Sequence, residues 1–266
     1  MTAADAPLDA DRLRPLLTTA LFGRVIEAFP TIGSTNDRAR VAALAGAPEG
    51  LLVMADAQTA GRGRRGRTWL APPGGAILAS VLLRPMAPPA EAFATTMIFA
   101  LAARAAARAW GVPATLKWPN DVLVGPRKLA GILAEAGTTG ERLDYIVVGF
   151  GVNVAFDPAA LGLEAVATSL AAEGGGAAPD RAAVLACILA EAEARYRIWQ
   201  AGDDDAVWRE WAAALTTPGK PVRVEVAPDQ IVSGTALRVE RDGALIVRTA
   251  EGSETRVVAG TVLAPG

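Results

Sequence analysis

The chain has 266 residues, enough for one large domain or for a medium one with a small satellite. Its formal net charge of −2 argues against bulk nucleic-acid binding, because DNA-binding domains normally carry a strong basic excess. Alanine supplies 58 residues, and Arg104 and Arg108 interrupt the longest apolar stretch, so no membrane span is expected. The acidic segment 1–15 does not resemble a signal peptide, and the single cysteine, Cys187, can form no internal disulfide. Both features predict a cytoplasmic protein.

The rare residue types indicate where chemistry is concentrated. There is no histidine, which excludes Ser-His-Asp and Cys-His catalysis and the usual zinc sites. The basic side chains are 23 arginines and three lysines, and there are only three asparagines. Lys117, Asn120 and Lys128 fall in one short stretch, KWPNDVLVGPRK. This clustering predicts a site at which arginine cannot replace a compact ammonium group.

Hydrophobic periodicity and turn residues predict the order of elements. The predicted elements are a short helix at about 9–21, a strand at 24–29, a helix at 34–46 capped by Ser34 or Thr35, strands at 51–58 and 76–84, a long helix at 90–110, strands at 121–124, 128–136 and 144–154, a glycine-rich break at 174–176, and helices near 180–200 and 204–215. From Pro218 onward short alternating strands follow, with an Asp242-Gly243 hairpin turn. The pattern predicts an α+β fold with a small C-terminal β-barrel.

Five arginines lie between Asp56 and Glu91 in a stretch without acidic residues: Arg62, Arg64, Arg65, Arg67 and Arg84. This local charge predicts an anionic ligand nearby. The segment GRGRRG at 61–66 matches G-x-G-x-x-G, but RTWLAPPGG follows it where a dinucleotide-binding fold requires a helix. The remaining interpretations are a flexible loop that folds over an anion and, for this segment alone, a solvated basic surface loop.

Five motifs together resemble the biotin protein ligase family in order and spacing. They are STND at 34–37, QTAGRGRRGRTW at 58–69, KWPNDVLV at 117–124, KLAGILAE at 128–135 and GFGVNV at 149–154. The resemblance implies a mixed β-sheet packed with helices, the biotin/lipoate ligase-type catalytic domain, at 1–216, and a small SH3-like β-barrel domain at 217–266. The sequence departs from the family pattern at 70–76, which leaves the wall of the biotin pocket less defined.

The implied activity is an ATP-dependent ligase that activates biotin as biotinyl-5'-AMP and transfers it to a lysine of a biotin carboxyl carrier protein. ATP and biotin are the expected substrates and Mg²⁺ the expected metal ion, with no carboxylate assigned to hold it. The expected partner is the acceptor domain of a carboxylase, with no DNA and no membrane, and a homodimer is possible. Only about 24 residues precede the first core strand, too few for the DNA-binding module of bifunctional relatives.

The resemblance also assigns the site residues. The catalytic residues are Lys128, Arg64 and Asp121. The biotin-binding residues are Ser34, Thr35, Asn36, Gln58, Gly61, Arg62, Gly63, Arg64, Lys128 and Gly131. The ATP- or adenylate-binding residues are Arg62, Arg65, Arg67, Trp69, Lys117, Asn120 and Asn153. A structural ion pair with Lys117 is the alternative for Asp121.

Two other functions fit parts of this pattern. A lipoate-type protein ligase has the same fold and also forms an acyl-adenylate, but its motifs differ. A nucleic-acid-binding protein could use the arginines between Asp56 and Glu91, yet Trp69 is the only aromatic residue among them and the net charge opposes it.

Overall fold

The computed structural model describes residues 6–175 and 178–263. Part of the predicted break at 174–176, the first five residues of the predicted catalytic domain and the last three of the predicted C-terminal domain lie outside the described residues. The helices in the described part are α1 (Ala10–Leu13), α2 (Thr35–Leu44), α3 (Phe93–Ala109), α4 (Leu170–Glu173), α5 (Arg181–Gln200) and α6 (Asp204–Ala214). The strands are β1 (Ile26–Ile32), β2 (Leu52–Gln58), β3 (Ala76–Leu83), β4 (Thr115–Lys117), β5 (Asp121–Val124), β6 (Arg127–Thr139), β7 (Arg142–Asn153), β8 (Pro221–Ala227), β9 (Gln230–Val239), β10 (Leu245–Arg248), β11 (Glu254–Val257) and β12 (Thr261–Val262).

The larger sheet has seven strands in the order β1-β2-β3-β7-β6-β5-β4. β1 and β2 are parallel, and every other neighbouring pair is antiparallel. All eight residues of β3 are buried, as expected for a continuous apolar run in a central strand. Helices α3, α5 and α6 pack beside this sheet and share one large core cluster with it. The mixed sheet packed with helices confirms the predicted α+β class.

The C-terminal strands form a separate, all-antiparallel sheet in the order β11-β10-β9-β8-β12. Gly243 has a φ of +85° in the tight turn between β9 and β10, a conformation that favours glycine, so the predicted Asp242-Gly243 turn is confirmed. Two indole groups join this sheet to the larger domain: Trp118 Nε1 donates to Gly243 O at 2.8 Å and Trp208 Nε1 donates to Glu240 O at 3.1 Å. The two parts of the chain are therefore docked through polar as well as apolar contacts.

The first predicted helix, 9–21, is wrong in its second half. α1 ends at Leu13 and a single 3₁₀ turn follows at Arg14–Leu16, after which the backbone becomes extended at Leu17. The backbone N–H groups of residues 20–22 instead donate to the carboxylate of Glu193 on α5. A tertiary contact has replaced the helical hydrogen bonds that periodicity predicted.

One helical segment, Pro89–Ala109, is long and apolar enough by length and composition to cross a membrane. Of its most apolar 18-residue window, 61% is buried against the rest of the fold, mainly against α5 and α6. A buried core helix passes the same test, and the packing of α3 is that of a core helix.

Candidate active site

A cavity of about 1020 Å³, part of it open solvent, lies where β3, β6 and β7 meet the segment between β2 and β3. We call that segment, residues 59–75, the arginine loop. The lining includes every site residue predicted from the sequence except Gly61, Arg65 and Asn153. Segments that are far apart in sequence therefore converge on one pocket.

The charge of the cavity is strongly asymmetric. Asp121 is the single carboxylate among its described lining residues. Five basic residues also line the cavity: Arg62, Arg64, Arg67, Lys117 and Lys128. Burial lowers the pKa of both Arg64 and Lys117 below their usual values, with Asp121 acting in the opposite direction. An anionic ligand would relieve this crowding of partly desolvated cations.

Lys128 lies beside Asp121, with Nζ 2.6 Å from Oδ1. The predicted alternative, an ion pair between Asp121 and Lys117, is wrong. The two residues are cross-strand partners, but Lys117 Nζ donates to Val262 O at 3.0 Å in the C-terminal domain. That contact could not be seen in the sequence because it joins residues far apart in the chain.

A strand irregularity explains where Lys128 points. In a regular strand Lys128 and Gly131 would face opposite sides of the sheet. The register of β5 and β6 shifts between Val122 and Leu123, and such bulges redirect side chains. Lys128 Nζ consequently lies 2.9 Å from the position that a Cβ on Gly131 would take.

Trp69 lies against two glycines that face each other across β6 and β7. Gly131 and Gly151 are register partners, and a Cβ on Gly151 would lie 2.4 Å from Trp69 Cε2. Lys128 Nζ is 5.4 Å from the centre of the same indole, a cation–π distance. Trp69 Nε1 is buried without a hydrogen-bond partner among the described residues, so it can donate to a ligand.

A cluster of uncharged polar side chains, which we call the polar wall, forms one side of the cavity and the layer behind it. Ser34 caps α2, so of the two predicted caps it is Ser34 that is used. The Thr35 N–H and hydroxyl donate to Gln58 Oε1 at 2.7 and 3.1 Å. Ser80 Oγ, from β3, lies 2.8 Å from Thr35 Oγ1. Hydroxyl and amide groups of this kind can hydrogen-bond a ureido ring that carries both N–H and carbonyl groups.

The side chain of Asn36, predicted to bind biotin, is hydrogen-bonded to other groups of the protein through both its amide nitrogen and its oxygen. Its Nδ2 donates to Glu135 Oε2 at 2.7 Å and Leu133 O at 3.2 Å, and its Oδ1 lies 2.6 Å from Ser80 Oγ. Glu135 also accepts from Arg62 Nη2 at 2.8 Å. Asn36 therefore connects β3 and β6 to the arginine loop, and its direct contact with biotin stays a prediction.

The arginine loop has internal structure. Gly63 N–H donates to Arg67 O at 2.6 Å, and Trp69 N–H donates to Gly61 O at 3.0 Å, which closes the loop into a compact hairpin. Arg64 Nη1 donates to Asn120 Oδ1 at 3.2 Å, which joins the loop to the KWPND turn.

Two arginines and one asparagine that were predicted near an anion or a nucleotide, Arg65, Arg84 and Asn153, are not among the residues that line the cavity. Arg65 donates to Glu225 O at 2.8 Å in the C-terminal domain. Arg84 donates to the carbonyls of residues 43, 47 and 144, so it caps α2 rather than facing the cavity. Asn153 Nδ2 donates to Thr168 O at 2.9 Å and to Lys128 O at 3.3 Å, behind the cavity wall. Nucleotide contacts for Arg65 and Asn153 stay predictions.

Comparison with known proteins gives the family. The profile described as "Biotin/lipoate A/B protein ligase family" matches residues 28–153, and "Biotin protein ligase C terminal domain" matches residues 217–263. The biotin–[acetyl-CoA-carboxylase] ligase of Mycobacterium tuberculosis is 37% identical, with 97% of this chain and 96% of that protein covered. The chain belongs to the biotin protein ligase family.

Other relatives agree with this family assignment. The bifunctional ligase/repressor BirA of Bacillus subtilis is 33% identical, over 92% of this chain and 76% of that protein. Among solved structures, the biotin protein ligase from Aquifex aeolicus in complex with biotin and ATP matches with a TM-score of 0.74. It covers 90% of this chain and 98% of that chain at 24% identity, so this likeness concerns the fold.

Several residues around the site of this biotin protein ligase family member were not predicted from its sequence. Ser80 and Glu135 connect the polar wall, and residues 260–262 of the C-terminal domain line the cavity. Ser80 had a signal, because it is the one polar residue in the apolar run of β3. Residues 260–262 had none.

The described residues contain no cluster of three His, Cys, Asp or Glu side chains that could hold a metal ion. Mg²⁺ commonly binds through one or two carboxylates together with substrate phosphates. Asp121 is the carboxylate in the described cavity lining that could contact a magnesium ion bound to substrate phosphates.

Proposed function

We propose that this chain is an ATP-dependent ligase that activates biotin as biotinyl-5'-AMP and transfers it to a lysine of a biotin carboxyl carrier protein. The observation that carries the proposal is the cavity itself, in which five cations and one carboxylate lie next to an uncharged hydrogen-bonding wall. Such a pocket suits a ligand with a polar, uncharged ring at one end and an anionic phosphate at the other.

In the first step a carboxylate oxygen of biotin attacks the α-phosphorus of ATP, and pyrophosphate leaves with the electrons of the broken P–O bond. Negative charge concentrates on the reacting phosphate. Lys128 is the cation we assign to stabilise it, assisted by Arg64 and Lys117 from neighbouring walls. Asp121 holds the Lys128 ammonium in place before the substrates arrive.

In the second step the acceptor lysine, as a neutral amine, attacks the biotinyl carbonyl. An amide forms, AMP leaves with the electrons of the mixed-anhydride bond, and the amine loses a proton. Asp121 is the carboxylate in the cavity lining that can accept this proton. Trp69 and the arginine loop cover the intermediate and exclude water from it.

Biotin-dependent exchange of pyrophosphate into ATP tests the first step. We expect exchange with biotin and little with lipoate, because the polar wall can satisfy the ureido ring, which lipoate lacks. Equal exchange with both acids would favour a ligase of broader specificity. Exchange with lipoate alone would replace the proposal by a lipoate-type ligase, and exchange with neither would contradict it.

We extend the proposal to organisation and partners. The catalytic domain is assigned to residues 1–216 and the small domain to 217–266, supported by the two profile matches. The acceptor is the carrier domain of a carboxylase, the enzyme works in the cytoplasm, and no DNA or membrane partner is expected. The possible homodimer stays a prediction that sedimentation with and without biotin can test.

A further inference from the structure

The arginine loop begins and ends beside Asp56. This residue lies in β2, three positions before residue 59, where the loop begins. Its carbonyl accepts a hydrogen bond from Gly74 N–H at 3.1 Å, just before the loop enters β3 at Ala76. The two ends of the loop are therefore adjacent, and any group that holds both fixes the base of the loop.

Arg181, the first residue of α5, is such a group. Its side chain is 2% exposed. Nη1 lies 2.8 Å from Asp56 Oδ1 and donates to Ala76 O at 3.2 Å, and Nη2 donates to Ala6 O at 2.8 Å. One guanidinium thus contacts the strand residues that flank the loop on both sides, Asp56 and Ala76, and also the N-terminal segment.

Neither Arg181 nor Asp56 is among the residues that line the cavity. A buried charge is unfavourable unless it is paired and hydrogen-bonded. Both terminal nitrogens of Arg181 meet this requirement, whereas its Nε has no hydrogen-bond partner among the described residues. An apolar residue would suffice to pack α5 against the sheet. The planar fork of arginine adds the ability to bind several backbone and side-chain acceptors in fixed directions. Two of its three partners, Asp56 and Ala76, flank the arginine loop.

We propose that Arg181 is a positioning residue for retention of the adenylate. Acting through Asp56 and Ala76, it holds the base of the arginine loop, so that Arg64 and Trp69 stay over the cavity between the two half-reactions. The inference rests on the proposed function, since it concerns how the same cavity keeps biotinyl-adenylate. Loss of Arg181 should let the loop open more often and release the intermediate into solution, while Lys128 remains in place for synthesis.

A purely structural role would predict a different pattern, and α5 offers a matched control. Glu193 is on the same helix, is 4% exposed and binds the backbone N–H groups of residues 20–22, away from the arginine loop. Glu193→Gln should weaken the fold through α5 without loosening the base of the loop. Stability and retention can therefore be separated.

The experiment measures release of the intermediate. Wild type, Arg181→Met, Arg181→Lys, Asp56→Asn and Glu193→Gln are each charged with biotin and ATP labelled at the α-phosphate, freed from substrates and diluted. Release of labelled biotinyl-adenylate is then followed by filtration. We expect Arg181→Met to release it at least about tenfold faster, because small misplacements far from the chemistry can cost ~100-fold. Arg181→Lys and Asp56→Asn should show smaller increases, and Glu193→Gln the wild-type rate.

The outcomes separate the two proposals. A wild-type release rate in Arg181→Met, or an equal increase in Glu193→Gln, overturns the positioning role. If Arg181→Met does not fold, Asp56→Asn decides, because it keeps the bonds from Arg181 to Ala6 and Ala76, and a wild-type rate there overturns the inference. Failure of the wild type to form any labelled adenylate would instead contradict the proposed function.

Discussion

Lys128 carries the largest share of the proposed chemistry, and its surroundings make its role testable. Its ammonium is held by Asp121 at 2.6 Å and lies over the Trp69 indole. Lys128→Ala should lower biotin-dependent pyrophosphate exchange by roughly 100- to 1000-fold, the usual loss when one preorganised donor is removed. Lys128→Arg should also be poor, because a rigid planar group replaces a point charge.

The far-ultraviolet spectrum and melting temperature serve as controls for folding of these variants. Exchange at the wild-type rate in a folded Lys128→Ala protein would remove Lys128 from the mechanism.

Arg64 is expected to affect retention more than synthesis. It belongs to the arginine loop and reaches across the cavity to Asn120, so its interactions depend on a closed loop. Arg64→Gly should still make biotinyl-adenylate but should release it, and the released anhydride should label lysines of an added bystander protein. A biotin blot of the bystander measures this, with Lys128→Ala as a control that labels nothing. Labelling confined to the carrier protein would show that retention depends on other residues.

At the scale of elements, the paired glycines of β6 and β7 set the depth of the cavity. Gly151→Ala would place a methyl group 2.4 Å from Trp69 Cε2 and push the indole outward. Such overpacking costs about 1–3 kcal/mol. Biotin binding should therefore weaken by roughly 5- to 150-fold, measured by titration calorimetry.

A double-substitution experiment checks the cause. In a Trp69→Ala background the clash is absent, so Gly151→Ala should add little further loss of biotin affinity. Additive losses would mean that the methyl group obstructs biotin directly rather than through the indole.

The contact between α5 and residues 20–22 predicts a pH-dependent stability. Burial opposes ionisation of Glu193, but the N–H groups of these residues and the Arg197 guanidinium outweigh it and keep its pKa below the usual value of 4.5. The contribution is therefore fully present above about pH 4.5 and is lost as the pH falls through the lowered pKa. Glu193→Gln should cost about 1–3 kcal/mol at pH 7.

Urea unfolding of wild type and Glu193→Gln at pH 7 and at successively lower pH tests this linkage. The difference in unfolding free energy should shrink on acidification. A constant difference would show that the carboxylate charge is not what holds residues 20–22.

At the scale of the whole molecule, periodicity predicted most of the elements, whereas contacts between distant segments could not be predicted. The helix at 9–21 failed because Glu193 binds backbone groups that the pattern assigned to a helix. Most site residues could be predicted because they belong to the sequence motifs, and the structure places most of them in the lining of one cavity. Strands β4 and β12 are too short to show a period, and they were not predicted. Backbone acceptors such as Val262 O could not be predicted either, because every residue has a carbonyl group whatever its side chain.

The part of the cavity lining that the C-terminal domain supplies has a consequence for the order in which the site is completed. Residues 260–262 line the pocket, and Lys117 is anchored on Val262 O, yet the ribosome translates these residues long after every other part of the site. During synthesis domains generally fold as units, the N-terminal domain first. A nascent chain with a folded larger domain would therefore hold the arginine loop and Lys128 in a pocket with one side missing. We therefore expect the larger domain alone to make little of the reactive anhydride until the C-terminal domain has folded against it.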